Sequence, residues 1–459
     1  MFIGIDFGTS NSAVGIVNGD DLHLVPLEHG RESIPTALFF NAEESRIRYG
    51  RQAIAEYTDG AEGRLMRSIK SVLGTSLIDE ETMVAGRLVG FREIIGLFLR
   101  HLRELAEVHA SMEVTQAVLG RPVHFVDDDP RRDKLAQEAL AAAARGAGFR
   151  DVVFQFEPIA AALDYERTLE REEVTLVVDI GGGTSDFSVV RLGPDRRNAL
   201  DRRRDLLGSG GVHIGGTDFD RRLSMVTAMP LLGLNASGPD GREVPSSTFF
   251  DLATWHRINL LYPMKAMHEV NALRIYFGDT TYHDRLMAVL SRRLGHRIAA
   301  DIEAAKIAVA DGGTTSVALD YVEQGLVKVV SAALLKAAIA DDVRKVVATA
   351  EATVRAAGLD RAQLGTLYFT GGSTGIRFLR EAFREAFPAA KFVQGDKFAS
   401  VARGMAVFAK EDISEPLRDR NNGHLKNIVY RKINRARSNA RPASRASGRS
   451  GPAYTRAPP

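Results

Sequence analysis

The sequence predicts an α/β protein of two homologous lobes, each a β-sheet with flanking helices. Three observations carry this: a Gly-rich hairpin that occurs twice, a chain too long for one core, and strands that alternate with helices. The chain has 459 residues, 45% of them apolar, enough to bury two or more cores. It contains no Cys, which excludes disulfides and thiolate metal sites and suits a reducing cytoplasm.

The first hairpin reads Ile3-Gly4-Ile5-Asp6-Phe7-Gly8-Thr9-Ser10-Asn11-Ser12-Ala13-Val14. The second reads Leu176-Val177-Val178-Asp179-Ile180-Gly181-Gly182-Gly183-Thr184-Ser185-Asp186-Phe187-Ser188-Val189-Val190. In each, an apolar strand ends in Asp, a small-residue turn carries hydroxyls, and a second apolar strand follows. Such a turn packs nothing, but its successive backbone N–H groups can form a nest around a phosphate. Asp6 and Asp179 bring a carboxylate to the mouth of each turn, where a hydrated Mg²⁺ could be held. One such hairpin alone is an ordinary turn. Two of them a domain length apart point to two lobes gripping the phosphate chain of one nucleotide. No G-x-x-x-x-G-K-[ST] occurs, so a P-loop is excluded. Each Gly turn leads into a strand rather than a helix, so the dinucleotide fingerprint fails as well.

The remaining elements follow in order. Ile34-Pro35-Thr36-Ala37-Leu38-Phe39-Phe40 reads as a strand. Ile94, Ile95, Phe98, Leu99, Leu102 and Leu105 share one face of a helix over Phe91–Val108. Gln116–Leu119 is a strand, and Asp129-Pro130 opens a helix over Arg131–Ala144, closed by Gly146 and Gly148. Val152–Phe156 is a strand, with a helix starting at Pro158, so Glu157 stands at a helix N-terminus facing a cleft. Residues 221–300 are less regular, carry the only Trp (Trp255) and read as an inserted helical subdomain. Asp301–Ala310 is helical, Thr366–Thr370 is a strand ending in Gly371-Gly372-Ser373, and a helix near 400–410 closes the fold.

The lobes are expected at 1–170 and 171–412, followed by a basic, disordered tail at 413–459. From Leu417 to Pro459 there are eleven Lys/Arg and one acid, Asp419. That stretch carries +10 of a chain total of +2, leaving −8 for the rest. The tail could dock on nucleic acid or an acidic partner, although its sparse aromatics equally suit a solubilising extension. Met1-Phe2-Ile3-Gly4 runs directly into a strand, so no leader is expected, and no apolar stretch is long enough to span a bilayer. Asp127-Asp128-Asp129 reads as a solvated loop and helix cap rather than a metal site. The eleven His show no zinc-ligand spacing.

The two hairpins resemble the phosphate loops of the actin-like ATPase superfamily, and more closely those of the DnaK-type, heat-shock protein 70 family. Gly4-Ile5-Asp6-Phe7-Gly8-Thr9-Ser10-Asn11-Ser12, Asp179-Ile180-Gly181-Gly182-Gly183-Thr184-Ser185-Asp186 and Phe369-Thr370-Gly371-Gly372-Ser373-Thr374 resemble three family signatures. Glu157-Pro158-Ile159-Ala160-Ala161-Ala162 and Gly215-Gly216-Thr217-Asp218-Phe219-Asp220 fit in the same order. The likeness covers roughly residues 1–412. Gly120-Arg121-Pro122-Val123 looks most like the short YegD-type members that lack a client-binding domain.

The resemblance implies an actin-like ATPase fold with RNase H-like sheets, and ATP and Mg²⁺ as ligands. Lys70, in Ile69-Lys70-Ser71-Val72-Leu73-Gly74, reads without it as a solvated helix lysine and with it as the catalytic lysine at the γ-phosphate. Gly8, Thr9, Ser10 and Asn11 would hold phosphates from one lobe; Gly181, Gly182, Gly183 and Thr184 from the other, with Gly215 and Gly216 alongside. Asp6 and Asp179 would anchor Mg²⁺ through its waters, while Glu157 and Asp186 order the attacking water. Glu303 and Lys306 would flank adenine and ribose beneath Gly371, Gly372 and Ser373, with Ala310 and Gly375 where the family places polar groups. Pro122 matches the family's proline switch, with Arg131 or Arg132 as its partner.

The expected function is an ATP-binding, ATP-hydrolysing chaperone-like protein without the usual client-binding domain, since Ser414-Glu415-Pro416-Leu417-Arg418 replaces the acidic-apolar linker. Its partners would be nucleotide and an unfolded protein or co-chaperone. A nucleotide-dependent scaffold or actin-like filament is the alternative, and a metabolite kinase of the same superfamily a third.

Overall fold

The N-terminal hairpin pairs Phe2–Phe7 with Asn11–Asn18 antiparallel, Asp6 opposite Ala13. Asp21–Leu24 continues the meander, and on the other side of Phe2–Phe7 lie two parallel strands, Gln116–Arg121 and Asp151–Phe156. A second sheet repeats this order. Glu173–Ile180 pairs antiparallel with Ser185–Leu192, which pairs with Leu206–Val212; Thr366–Thr370 and Lys391–Gln394 add in parallel. The chain is thus mixed α/β, and the computed structural model describes residues 1–410 apart from 19–20, 85, 127–128, 198–201, 240 and 396–399. The tail and the pair Asp127-Asp128 lie outside those residues.

In both sheets the first strand of the hairpin is central, flanked by an antiparallel and a parallel neighbour. The carboxyl ends of the parallel strands carry Asp6, Gly120, Glu157, Asp179 and Gly371, the edge at which α/β sheets bind ligands. The helices cover the faces. Phe91–Ala110 runs two residues past the predicted end, to a left-handed Ser111, and buries Ile94, Ile95, Phe98, Leu99 and Leu102. Pro130–Gly146 packs against it, its N-terminus capped by the Asp129 carboxylate accepting from the Arg131 and Arg132 amides.

The predicted helical stretch 221–300 contains Ser247–Ala253, Met264–Ala272 and Thr280–Ser291. Phe249, Leu286, Ile298 and Ile302 join Leu176, Val178 and Phe219 in one continuous core, so this stretch shares its core with the second sheet. A small sheet of Arg46–Tyr49, Ala37–Asn41 and Gly63–Arg67, unforeseen beyond its first strand, carries the helix Gly50–Thr58. It touches the helical stretch directly. Tyr57 Oη donates to Asn259 Oδ1 at 2.6 Å, its ring meets His296 edge-on at 5.0 Å, and the Arg67 guanidinium lies 4.5 Å over Trp255.

Two features hold the helix Glu157–Glu166, whose first residue is the predicted Glu157. The first is close packing. The helix Ser400–Phe408 crosses it so tightly that a Cβ on Gly404 would sit 1.9 Å from the Ala160 carbonyl oxygen. The same helix lies on the N-terminal hairpin, where a Cβ on Gly4 would meet the Ala406 nitrogen at 2.4 Å and one on Gly15 the Ala402 carbonyl at 2.5 Å. Only glycine permits such backbone approach. The second is charge. At the far end of the helix the Glu166 carboxylate is fully buried. It accepts from Arg202 Nη1 and Nη2 at 3.0 and 2.8 Å and from the Gly193 amide at 3.0 Å. Arg202 also pairs through Nε with the buried Asp205.

Gly404→Val should therefore cost about 3 kcal/mol or more by overpacking against backbone that cannot yield. Gly146→Ala, with nothing within 4 Å of its Cβ, should change stability by no more than about 1 kcal/mol. Urea denaturation of both checks this. Arg202→Ala leaves the buried Glu166 carboxylate without a cationic partner, while Asp205 keeps Arg196, and should cost about 3–5 kcal/mol. The double variant Arg202→Met, Glu166→Gln should recover part of that loss in the same assay.

Candidate functional site

The strand ends open into a cleft of about 1660 Å³. Asp6, Gly8, Thr9, Ser10, Asn11 and Lys70 line it from one side with Glu157. Asp179, Gly181, Gly182, Gly183, Thr184, Asp186, Gly216, Glu303, Lys306, Gly371, Gly372 and Ser373 line it from the other. Gly215 is the exception among the residues singled out from sequence. It sits behind the second turn, where a Cβ would meet the Gly182 carbonyl oxygen at 2.6 Å, and its amide donates to Asp218 Oδ2 at 3.1 Å.

Both turns are held from outside. Thr36, fully buried, donates from its amide to the Ser10 carbonyl at 2.9 Å and from Oγ1 to the Gly8 carbonyl at 2.8 Å. Ser12 Oγ lies 2.8 Å from the same hydroxyl. In the second turn the Gly181 amide donates to the Thr184 carbonyl at 3.0 Å. Its own carbonyl accepts from the Gly216 amide and from Ser373 Oγ, both at 3.0 Å. The Gly182 carbonyl accepts from the Thr217 amide at 2.7 Å and its hydroxyl at 2.8 Å. With these carbonyls and the Gly181 amide occupied, what the turn offers an anion is its remaining N–H groups. The turns also meet: a Cβ on Gly182 would lie 2.0 Å from Ser10 Oγ and 3.0 Å from its Cβ. Thr36, Ser12 and Thr217 were read only as parts of a strand or a motif, because each looks like an ordinary strand or cap residue.

Lys70 stands on a single 3₁₀ turn, Ile69–Val72, not on a helix. The preceding Ser68 is left-handed at φ 58°, which throws the side chain inward. Its Nζ donates to Glu157 Oε1 at 2.7 Å with both side chains largely buried. Gly120 makes room, since a Cβ there would press on Glu157 Cγ at 3.0 Å. Burial pulls the Lys70 ammonium towards neutrality, but the carboxylates of Glu157, Asp6 and Asp179 outweigh it and raise its pKa.

The aspartates are pushed the other way. Burial, then the Glu157 charge, raises Asp6 to about 7 against the pull of Lys70. Burial, then Asp186, Glu157 and Asp6, raises Asp179 to about 8. The carboxylates thus outnumber the ammonium among them, so a cation would relieve the repulsion. Among the described residues no three carboxylates or imidazoles converge as metal ligands. That donor set fits Mg²⁺, which keeps its waters and takes one or two carboxylates plus phosphate oxygens, rather than a metal held by protein alone. Asp186 accepts from Thr184 Oγ1 at 2.7 Å.

At the other end of the cleft Lys306 pairs with Asp220 at 2.8 Å and donates to the Gly216 carbonyl at 3.1 Å. Burial raises Asp220 to about 6, against Lys306 and with Glu303. Glu303 lies 3.9 Å from Arg67 of the small sheet. Asp220 lines the cleft but was read only as part of a motif. Arg132 does not reach Pro122; its Nε donates to the Gly74 carbonyl at 3.1 Å. The arginine folded on Pro122 is Arg121, which donates to the Pro122 and Val123 carbonyls and to both oxygens of Asp133. Arg131 donates its amide to Asp129.

A family model described as HSP70, Hsp70 protein, matches residues 2–229, a stretch that includes both Gly-rich turns, Lys70, Glu157 and Asp220. No helix among the described residues is long and apolar enough to cross a membrane. Over residues 2–229 the chain is thus similar to Hsp70 proteins.

Proposed function

We propose that the chain is an ATPase that binds MgATP across the cleft, hydrolyses it at Lys70, and uses the nucleotide state to control contact with a client protein. The observation that carries this reading is the Lys70–Glu157 pair at 2.7 Å, set in the cleft that both Gly-rich turns line. The matching strand orders of the two sheets support lobes at 1–170 and 171–412, with the helical stretch 221–300 in the second. Gly120-Arg121-Pro122-Val123 supports a place near the short YegD-type members.

Phosphoryl transfer asks a protein mainly for positioning and charge. The N–H groups of the two turns and the Thr9, Ser10 and Asn11 side chains cradle the β- and γ-phosphates. Asp6 and Asp179 would hold a hydrated Mg²⁺, which would neutralise phosphate charge. Lys70, kept protonated by three carboxylates, lies against the transferred group and stabilises charge building on its oxygens. Glu157 fixes the Lys70 ammonium and, with Asp186, accepts hydrogen bonds from the attacking water, aligning it with the γ-phosphorus. Thr184 orients Asp186.

Single-turnover hydrolysis of MgATP by the full chain tests this beside Lys70→Ala, with MgATP binding measured in parallel. The variant should bind within about tenfold of wild type and hydrolyse at least ~100-fold more slowly. Equal rates would remove Lys70 from the chemistry, and absence of binding by wild type would sink the reading.

A further inference from the structure

The helix Gly295–Val309 and the residue after it present Glu303, Lys306, Ile307 and Ala310 to the cleft. Seven residues at 1.5 Å each span about 10.5 Å, close to the reach of a nucleoside from ribose to the far edge of its base. Polarity changes sharply over that distance. The first half holds Glu303, 3.9 Å from Arg67, and Lys306, paired with the half-buried Asp220 at 2.8 Å. One turn on, the lining is Ile307, Ala310, Gly375 and Ile376.

Ile307 is the unusual member. Its neighbours Ile302, Ala305, Lys306 and Val309 are buried, yet Ile307 is 64% exposed and lies on the cleft wall. An apolar side chain so placed offers a face to a flat ring and no hydrogen bond to its edge. The polar side chains nearest this end are engaged elsewhere. Arg380 donates to the Thr374 and Gly375 carbonyls and pairs with Asp311 at 2.8 Å. Ser373 Oγ donates to Gly181, and Arg377 lies 3.6 Å from Glu381. Ile307, Ala310, Gly375 and Ile376 themselves carry no side-chain donor or acceptor, and the hydroxyl proton of the neighbouring Ser373 is given to the Gly181 carbonyl.

We propose that the site accepts purine nucleotides without selecting the base, taking guanine as well as adenine. This rests on the nucleotide reading given above and adds what the site does not read. Adenine and guanine differ in their edge donors and acceptors and share a π-face of similar size. Strong discrimination arises when a buried polar group of the site is left unpaired by the wrong ligand. A wall of two isoleucines, an alanine and a glycine has no side-chain group to strand. Affinity then comes from the phosphate turns, the ribose end and contact with the base face.

MgADP and MgGDP titrated calorimetrically into the full chain, with wild type beside Ile307→Ala, test the proposal. The dissociation constants for wild type should agree within about tenfold. Ile307→Ala, an exposed position, should weaken both by the same factor. MgADP binding more than ~100-fold tighter than MgGDP, or a variant that alters only one of them, would overturn base tolerance and leave the ATPase reading standing. Binding of neither would overturn both.

Discussion

Asp6, Glu157 and Asp179 meet beside Lys70 in one cleft with the exposed Asp186 near them, and this imbalance of charge is what the surrounding architecture maintains. Carboxylates taken from water and set near one another resist ionisation, which is why Asp6 and Asp179 stand near 7 and 8. A scaffold selected for stability alone would pair or remove such groups. Here they are kept, at strand ends that cannot retreat, so a cation entering the cleft would relieve their mutual repulsion.

The scaffold achieves this by using one topology twice. In each sheet an antiparallel meander is joined by two parallel strands, so that each hairpin turn and its Asp open at the same edge as the following strand ends. The helix Glu157–Glu166 is pinned at both termini by charge, to Lys70 at the cleft and to Arg202 at the far end. Between those points Gly404 brings another helix into backbone contact with it. Glu157 is therefore positioned by packing and by remote ion pairing as much as by its own bond to Lys70.

Much of this was legible because it is local. Apolar strands around a short Gly-rich turn announce a hairpin within a dozen positions, and apolar periodicity gave the helix at 91–110 to within two residues. The expectations that went astray depended on distance or backbone detail. Nothing near Lys70 shows that Ser68 is left-handed or that the partner lies 87 residues on. The small sheet around Ala37–Asn41 mixes charged and apolar residues without a clean period of two, so only its first strand could be seen. Arg131 and Arg132 were chosen as partners for Pro122 by spacing, but Arg121 is already next to it and folds back. Thr36 and Arg202 matter through contacts that no window of sequence contains.

The seating of Ser400–Phe408 on Gly4 and Gly15 has a consequence for how the protein is made. Translation at about 5–20 residues per second releases the first hairpin roughly 20–80 s before the helix that covers it. During that interval the bare glycine face of the N-terminal strands has no native partner, and the first sheet cannot reach its final packing whatever its own propensities. Early and late stretches of the chain are neighbours in space and strangers in time, so commitment of the N-terminal sheet is a late event in biosynthesis.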